Sequence, residues 1–294
     1  MGHPAEGVLA NDPPIALVEE RKSSEMSSRQ LSIQDQSKEN PSSTSEASTK
    51  ERLVSHLSAP IRVSFLAELE LILLTFATGI QDATTFPDYH CFASNQTGNT
   101  VMLALSTTVP GLAGTLFITE NIGVSLALFL AGGWITGQIS HHFVNKRSRW
   151  WLLLCNFLQT VLVFGAAAIQ FKFGVQREGS RALAVLALLA FASGSQVVQS
   201  RSLAMTEIST AMATAAWVDL MIDSRLFHLK NRPRNRRAFF LIALVCGSFV
   251  GAALYRSAGS AWAIFVSAAA KLIVTVLYLF NSPEKKQPSN GDVC

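Results

Sequence analysis

A carboxylate and a Thr-Gly-Asn triplet interrupt an otherwise apolar stretch of this chain, in GIQDATTFPDYHCFASNQTGNTV over residues 79–101. In hydrocarbon an unpaired carboxylate is expensive, so Asp82 either caps a broken helix near an interface or lines a polar cavity. Thr97 supplies a hydroxyl able to cap a helix, and Gly98 permits positive φ or close backbone approach. Asn99 both donates and accepts hydrogen bonds. A helix that starts there exposes unsatisfied N–H groups and the positive end of its dipole, which can hold an anionic group or small polar solute. The plainer alternative is a capped short helix that only packs. The Asn95-Gln96-Thr97 sequon lies too close to the membrane to be an easy glycosylation acceptor and is expected to be unmodified.

The elements that position these residues are membrane helices. Mean hydropathy is +0.30 over 294 residues, but the average joins two populations. Residues 1–60 are rich in Ser, Glu, Lys, Gln and Pro and read as a disordered cytoplasmic tail with plausible phosphorylation sites. Residues 63–281 are apolar blocks separated by short polar loops, and residues 282–294 form a polar C-terminal tail. Several blocks approach the ~20 residues needed to cross a ~30 Å hydrocarbon core. The predicted fold class is all-α, a polytopic transmembrane helical bundle. Six strong spans are expected at about 64–85, 121–143, 150–170, 181–200, 238–256 and 260–280, with two short or re-entrant helices at about 96–110 and 205–222. The alternative, in which the short segments also cross, has eight spans.

Charge placement does not separate the two. From Arg62 onward, six spans put thirteen loop and tail Lys and Arg residues on the side of the N-terminus and four on the other, and eight spans put twelve and five. In both cases the positive-inside rule makes both termini cytoplasmic. The basic loops, RLFHLKNRPRNRR above all, are expected to meet anionic lipid head groups rather than nucleic acid. Cys91, Cys155, Cys246 and Cys294 form no CxxC pair, and His141-His142 has no nearby ligand cluster. No disulfide framework, metal site or cofactor is therefore expected. No catalytic motif is found, so an enzyme is not expected.

The second half echoes the first. GIQDA at 79–83 matches GSQVV at 194–198, Thr97 matches Thr210, and Gly133-x-x-x-Gly137 matches Gly247-x-x-x-Gly251, at offsets of 115, 113, 114 and 114 residues. Two internal repeats follow, residues 64–171 and 181–280, inverted if each holds three crossings and parallel if each holds four. Gln196 and Thr210 join Asp82, Thr97, Gly98 and Asn99 as candidates for a solute path. The four glycines of the GxxxG pairs are assigned to helix packing.

The pattern Gly79, Asp82, Ala83, then Phe92, Thr97, Gly98 and Asn99 resembles the signature of the YoaK-like multi-pass membrane family, a domain-of-unknown-function group. The resemblance covers roughly residues 65–281. The family's second motif, resembling Thr-Gly-Thr, stands here as Ser209-Thr210-Ala211. The Ser-rich tail reads as eukaryotic, and a fungal member is the expectation. The resemblance implies a multi-pass membrane protein and no agreed activity. Duplication and polar motifs at broken helices point to a transporter or permease for a small solute. The rival expectation is a non-transporting scaffold or regulator whose tail binds partners.

Overall fold

The computed structural model describes residues 56–281 except 63, 110, 115, 143, 145, 146, 206, 209 and 229. The expected tails, apart from residues 56–60, lie outside the described residues. Among those described every long element is a helix and no strand is found. The helices are α1 (Phe65–Tyr89), α2 (Gln96–Thr108), α3 (Thr119–His142), α4 (Arg149–Phe173), α5 (Ser180–Ser202), α6 (Ala213–Met221), α7 (Arg232–Ser257) and α8 (Ser260–Leu277), which a 3-10 turn extends to Phe280. Local signals mark several ends. Ser64 caps α1 by accepting from the Ala67 N–H at 3.3 Å, and Asn231 caps α7 by accepting from Arg234 N–H at 3.1 Å.

Five helices, α3, α4, α5, α7 and α8, are long and apolar enough to cross a membrane. The protein is thus a helical, multi-pass membrane bundle. The first expected span, α1, has the length, at 25 residues, but falls outside the five because Glu68, Glu70, Asp82 and Asp88 interrupt it. Protein surrounds α1 instead of lipid: 14 of its residues are buried, against six of the 24 in α3. At 13 and nine residues, α2 and α6 reach only about 20 and 13 Å, too short to cross.

Contacts between helix ends select the six-crossing path. The Ile61 N–H donates to the Arg147 carbonyl at 2.9 Å and the Arg149 N–H to the Ala59 carbonyl at 3.3 Å. The starts of α1 and α4 therefore share one end of the bundle. Eight crossings would place them at opposite ends. Asn156 on α4 bonds Thr275 at 2.8 Å while Ser260 bonds Gln170 at 3.1 Å, so α4 and α8 are antiparallel, again as six crossings require. At the far end, Asn121 donates to the Tyr89 carbonyl at 3.0 Å and the Arg177 carbonyl at 2.7 Å, tying the end of α1 to the start of α3 and the loop before α5.

Glycine fixes the two tightest crossings. On α1 and α7, Cβ atoms added at Gly247 and Gly251 would overlap the Phe76 and Ile80 backbone, and one at Gly79 would stand 2.5 Å from the Leu244 carbonyl oxygen. On α3 and α5, Cβ atoms at Gly132 and Gly194 would overlap the Phe191 and Phe129 carbonyls. Shape thus forces glycine where two backbones touch. The first-half role falls to Gly132, not to the expected Gly133 and Gly137. A Cβ added at Gly133 would stand in ordinary contact with Gly194 and Val198 at 3.7 Å, and one at Gly137 would meet Val198 at 4.0 Å. Phe76 and Phe191, Gly79 and Gly194, Phe129 and Leu244, and Gly132 and Gly247 are each 115 residues apart. These contact residues share one offset of 115, where the motifs have 113–115.

Candidate functional site

Half-way along α3 and α7, Phe129 and Leu244 face a cavity of about 960 Å³. The first turn of α2 opens on it through Gln96, Thr97 and Gly98, and the first turn of α6 through Ala213, Thr214 and Ala215. Two short helices, one from each half, thus present their N-termini to one space. The lining also pairs at an offset of 115: Asp82 with Val197, Phe129 with Leu244, Gly98 with Ala213. Arg201 closes the side next to α6, where a further cavity of about 410 Å³ continues between Arg201, Met205 and Arg237.

The first of the two breaks is tied down. Pro87 lacks a backbone N–H, and His90 ends α1 in the left-handed region at φ 55°. The chain then turns back and is held by two side chains. Asp82 accepts from the Ser94 N–H at 2.9 Å and the Ser94 hydroxyl at 2.5 Å. Asn99, fully buried, accepts from the Phe92 N–H at 2.9 Å and donates to the Phe92 carbonyl and the Gln96 amide, both at 2.8 Å. Ser125 on α3 adds a bond to the Phe92 carbonyl at 2.7 Å. Asn95, not Thr97, is the cap of α2, accepting from the Gly98 N–H at 3.3 Å.

The second break lacks these ties. Val197 stands where Asp82 would, Thr214 where Asn99 would and Phe240 where Ser125 would. Met212 precedes α6 without a side-chain cap. Ala204 and Thr210 both adopt positive φ, at 54° and 55°. Among the described residues the buried Thr210 hydroxyl has no hydrogen-bond partner.

Behind the cavity wall runs a buried polar core. Lys271 on α8 is fully buried, and its ammonium donates to Gln159 at 3.4 Å and, at very short range, to Gln196. Gln196 in turn donates to the Thr78 hydroxyl at 2.9 Å, and Thr78 lines the cavity. Gln159 bonds Ser195 at 3.1 Å and Gln199 at 2.8 Å. At the end shared by α1 and α4, buried Arg149 donates to the Asn281 carbonyl, whose side-chain amide donates to buried Glu70 at 2.6 Å. That amide bridge joins two opposite charges that do not touch. Outside the core the basic loop is internally paired: Arg236 meets Glu68 at 2.7 Å and Glu207 at 3.4 Å, and Arg237 meets Asp219 at 3.6 Å.

A family model described as "Protein of unknown function (DUF1275)" matches residues 71–277. The chain belongs to this family. No curated protein and no solved structure matches it. The DUF1275 match contains both breaks, the cavity lining and Lys271.

Of the residues singled out from the sequence, Asp82, Thr97 and Gly98 line the cavity. Asn99 and Gln196 stand behind its wall, the first in the loop clamp and the second in the polar core. Thr210 is fully buried whereas Thr97 is exposed, so the two do not occupy equivalent places. Lys271 and Arg201 were missed. A single lysine inside SAWAIFVSAAAKLIVTVL was the available signal for the first, because a lone charge in a span marks function by default.

Proposed function

We propose that this DUF1275 member is a permease for a small solute, built from two inverted repeats of three crossings and one short helix, with its path through the 960 Å³ cavity. The observation that carries this reading is the convergence of two short-helix N-termini, related by an offset of 115, on one cavity half-way through the bundle. Transporters with inverted repeats hold solute at such places, where dipole ends and uncapped N–H groups face it. The first turn of α6, which has no side-chain cap, and the Arg201 guanidinium, which donates to the Met212 sulfur, supply donors. Both carboxylates on the wall already have partners, Asp82 in Ser94 and Asp219 in Arg237. The reading is non-enzymatic. The end bearing Arg147, Arg149, Arg201 and the 225–237 loop is cytoplasmic by the positive-inside rule, as are both termini. There, exposed Arg225 and Lys230 are offered to anionic head groups.

The test is flux of small anions and small neutral polar solutes into liposomes holding the full chain. Flux above protein-free liposomes is expected, with most of it lost in Thr97→Trp, which places an indole in the cavity without touching the clamp. Absence of flux for every solute, or flux indifferent to Thr97→Trp, would remove the permease reading. Single cysteines at 147 and 175, in a background without the native cysteines, test orientation: only 175 should label from outside.

One observation favours a non-transporting scaffold as the second reading. Asp82 and Asn99 are fully engaged in holding the loop at residues 92–94, as structural glue would be.

A further inference from the structure

We propose that Lys271 is a proton-binding site that couples protonation to the opening of the cavity. The inference rests on the permease reading and adds its driving ion. Lys271 is fully buried and belongs to a helix that lies against α1 and α4. Among the described residues no carboxylate pairs with it. Its acceptors are two amide oxygens, those of Gln159 and Gln196.

That count is chemically informative. An ammonium has three N–H donors, while a neutral amine has two and a lone pair. Two acceptors match both N–H groups of the amine and leave the third proton of the ammonium without a partner. The site therefore holds either form in one geometry and favours neither by a fixed counter-ion. The step is R–NH3+ giving one proton to water and leaving R–NH2, with no other bond made or broken.

The other ionisable groups of the packed helices are engaged away from Lys271. On α1, Glu70 bonds Asn281, Asp82 bonds Ser94 and Asp88 accepts from Ser260, while Glu68 pairs with Arg236. On α4, Arg149 bonds His56 and Asn281, and Cys155 is buried. On α5, Arg201 turns to Met212. On α7, Cys246 is exposed and Tyr255 and Arg256 stand in the last turn. Tyr278, just beyond α8, accepts from Gln199. Lys271 thus places an ionisable amine among the amides in the middle of the core.

A route from that charge to the cavity exists. Gln196 accepts from Lys271 and donates to Thr78, so the amide has its orientation fixed by both. Loss of the positive charge at Lys271 weakens its hydrogen bond to Gln196, and Thr78 carries the change to the wall beside Asp82 and the α6 turn. The coupling is positional: Gln196 is a positioning residue and does not itself carry the proton.

The experiment uses the full chain in lipid nanodiscs and needs no solute. First, the protein is labelled with isotope-enriched lysine, and the Lys271 signal is assigned by its loss in Lys271→Gln and in Lys271→Arg. Its signal should change with pH across the range in which the folded protein is stable. Second, Thr97→Cys is labelled with a thiol reagent across the same range, with the rate corrected for thiolate fraction. A several-fold change in corrected rate is expected, following the Lys271 titration and absent when Lys271→Gln or Lys271→Arg is added. If the amine keeps one protonation state throughout, or titrates with no change in labelling, the proposal is overturned. Should one variant fail to fold, the other carries both arms. Neither arm depends on flux, so failure of the permease reading would be seen separately.

Discussion

The two breaks that flank the cavity share a backbone plan and differ in how firmly they are held. Between α1 and α2 the loop is fastened by Asp82 and Asn99 through five hydrogen bonds of 2.5–2.9 Å. Between α5 and α6 the equivalent positions carry Val197 and Thr214, α6 has nine residues against 13, and two non-glycine residues take positive φ. Equivalent helices with unequal loops give a cavity with one fixed wall and one wall free to rearrange. Under the permease reading, opening would fall at the second break, since it draws on regions of low local stability. The difference can be broken or sharpened by mutation.

The largest effect should come from the crossings that both halves share. Gly132→Leu and Gly247→Leu each drive a side chain into a backbone carbonyl, where no rotamer can yield. Each should cost roughly 3 kcal/mol or more, which exceeds what ordinary overpacking does. Folded, monodisperse yield in detergent should collapse for both. Gly137→Leu, facing only Val198 at 4.0 Å, should stay within about 1 kcal/mol of wild type in thermal melts. Equal damage from Gly137→Leu would return the crossing to the GxxxG register read from the motif.

Next comes the clamp. Asn99→Ala removes the acceptor for the Phe92 N–H and both donors from a fully buried site, and should cost roughly 2–4 kcal/mol because neighbouring groups are left unsatisfied. Thr214→Ala, on the exposed counterpart, should change stability by less than about 0.5 kcal/mol. Denaturant melts in detergent check the pair, and hydrogen exchange at 91–95 should rise in the first variant alone. Similar costs in both would erase the distinction between a fixed and a free wall.

How much of this was legible in the sequence depends on what each residue type reveals. Hydropathy located the long helices because burial in lipid demands a continuous apolar run, and the first short helix, expected at 96–110, is Gln96–Thr108. The second, expected at 205–222, is only Ala213–Met221, because left-handed turns at Ala204 and Thr210 have no sequence signal outside glycine. The doubled glycine at 132–133 hid the repeat register, since spacing alone fits either residue. Asp82 was legible as an outlier, but its partner Ser94 lies across a turn that spacing does not reveal. Lys271 disappeared into the most apolar window of the chain, where one charge barely moves an average.

Strain gives a smaller effect, confined to the free wall. Thr210 holds φ 55° with a buried hydroxyl that bonds nothing. Thr210→Gly removes both penalties and should stabilise the protein by about 1 kcal/mol, the net of left-handed strain relieved and unfolded-state entropy gained. Thr97→Gly, in the first half, has no such strain to relieve and should be neutral or slightly destabilising, since glycine is unfavourable in a helix. Melting temperatures of the two variants would settle the sign. A destabilised Thr210→Gly would mean that the hydroxyl holds the loop in place and that the second break is clamped after all.

The smallest effect concerns the loops that follow the two short helices. Residues 109–118, after α2, contain no carboxylate and are held by backbone bonds such as Gly114 N–H to the Phe117 carbonyl at 2.8 Å. After α6, Asp223 accepts from the Arg225 N–H at 2.9 Å and from the Asn231 amide at 3.1 Å. The Arg225 N–H, then Asn231, favour the ionised form and hold the Asp223 carboxyl below the ordinary Asp range. A carboxyl depressed on folding binds fewer protons folded than unfolded. Its contribution is therefore whole above the ordinary Asp value and fades as pH falls through the lowered one. Because Asn231 also caps α7, acid should loosen 222–234 as a unit and leave 109–118 unchanged. Hydrogen exchange on the two segments, corrected for intrinsic pH dependence, checks this, and Asp223→Asn should make the second segment as indifferent to acid as the first. Parallel loosening in both segments would trace the effect to the bundle as a whole and remove the contrast between the two loops.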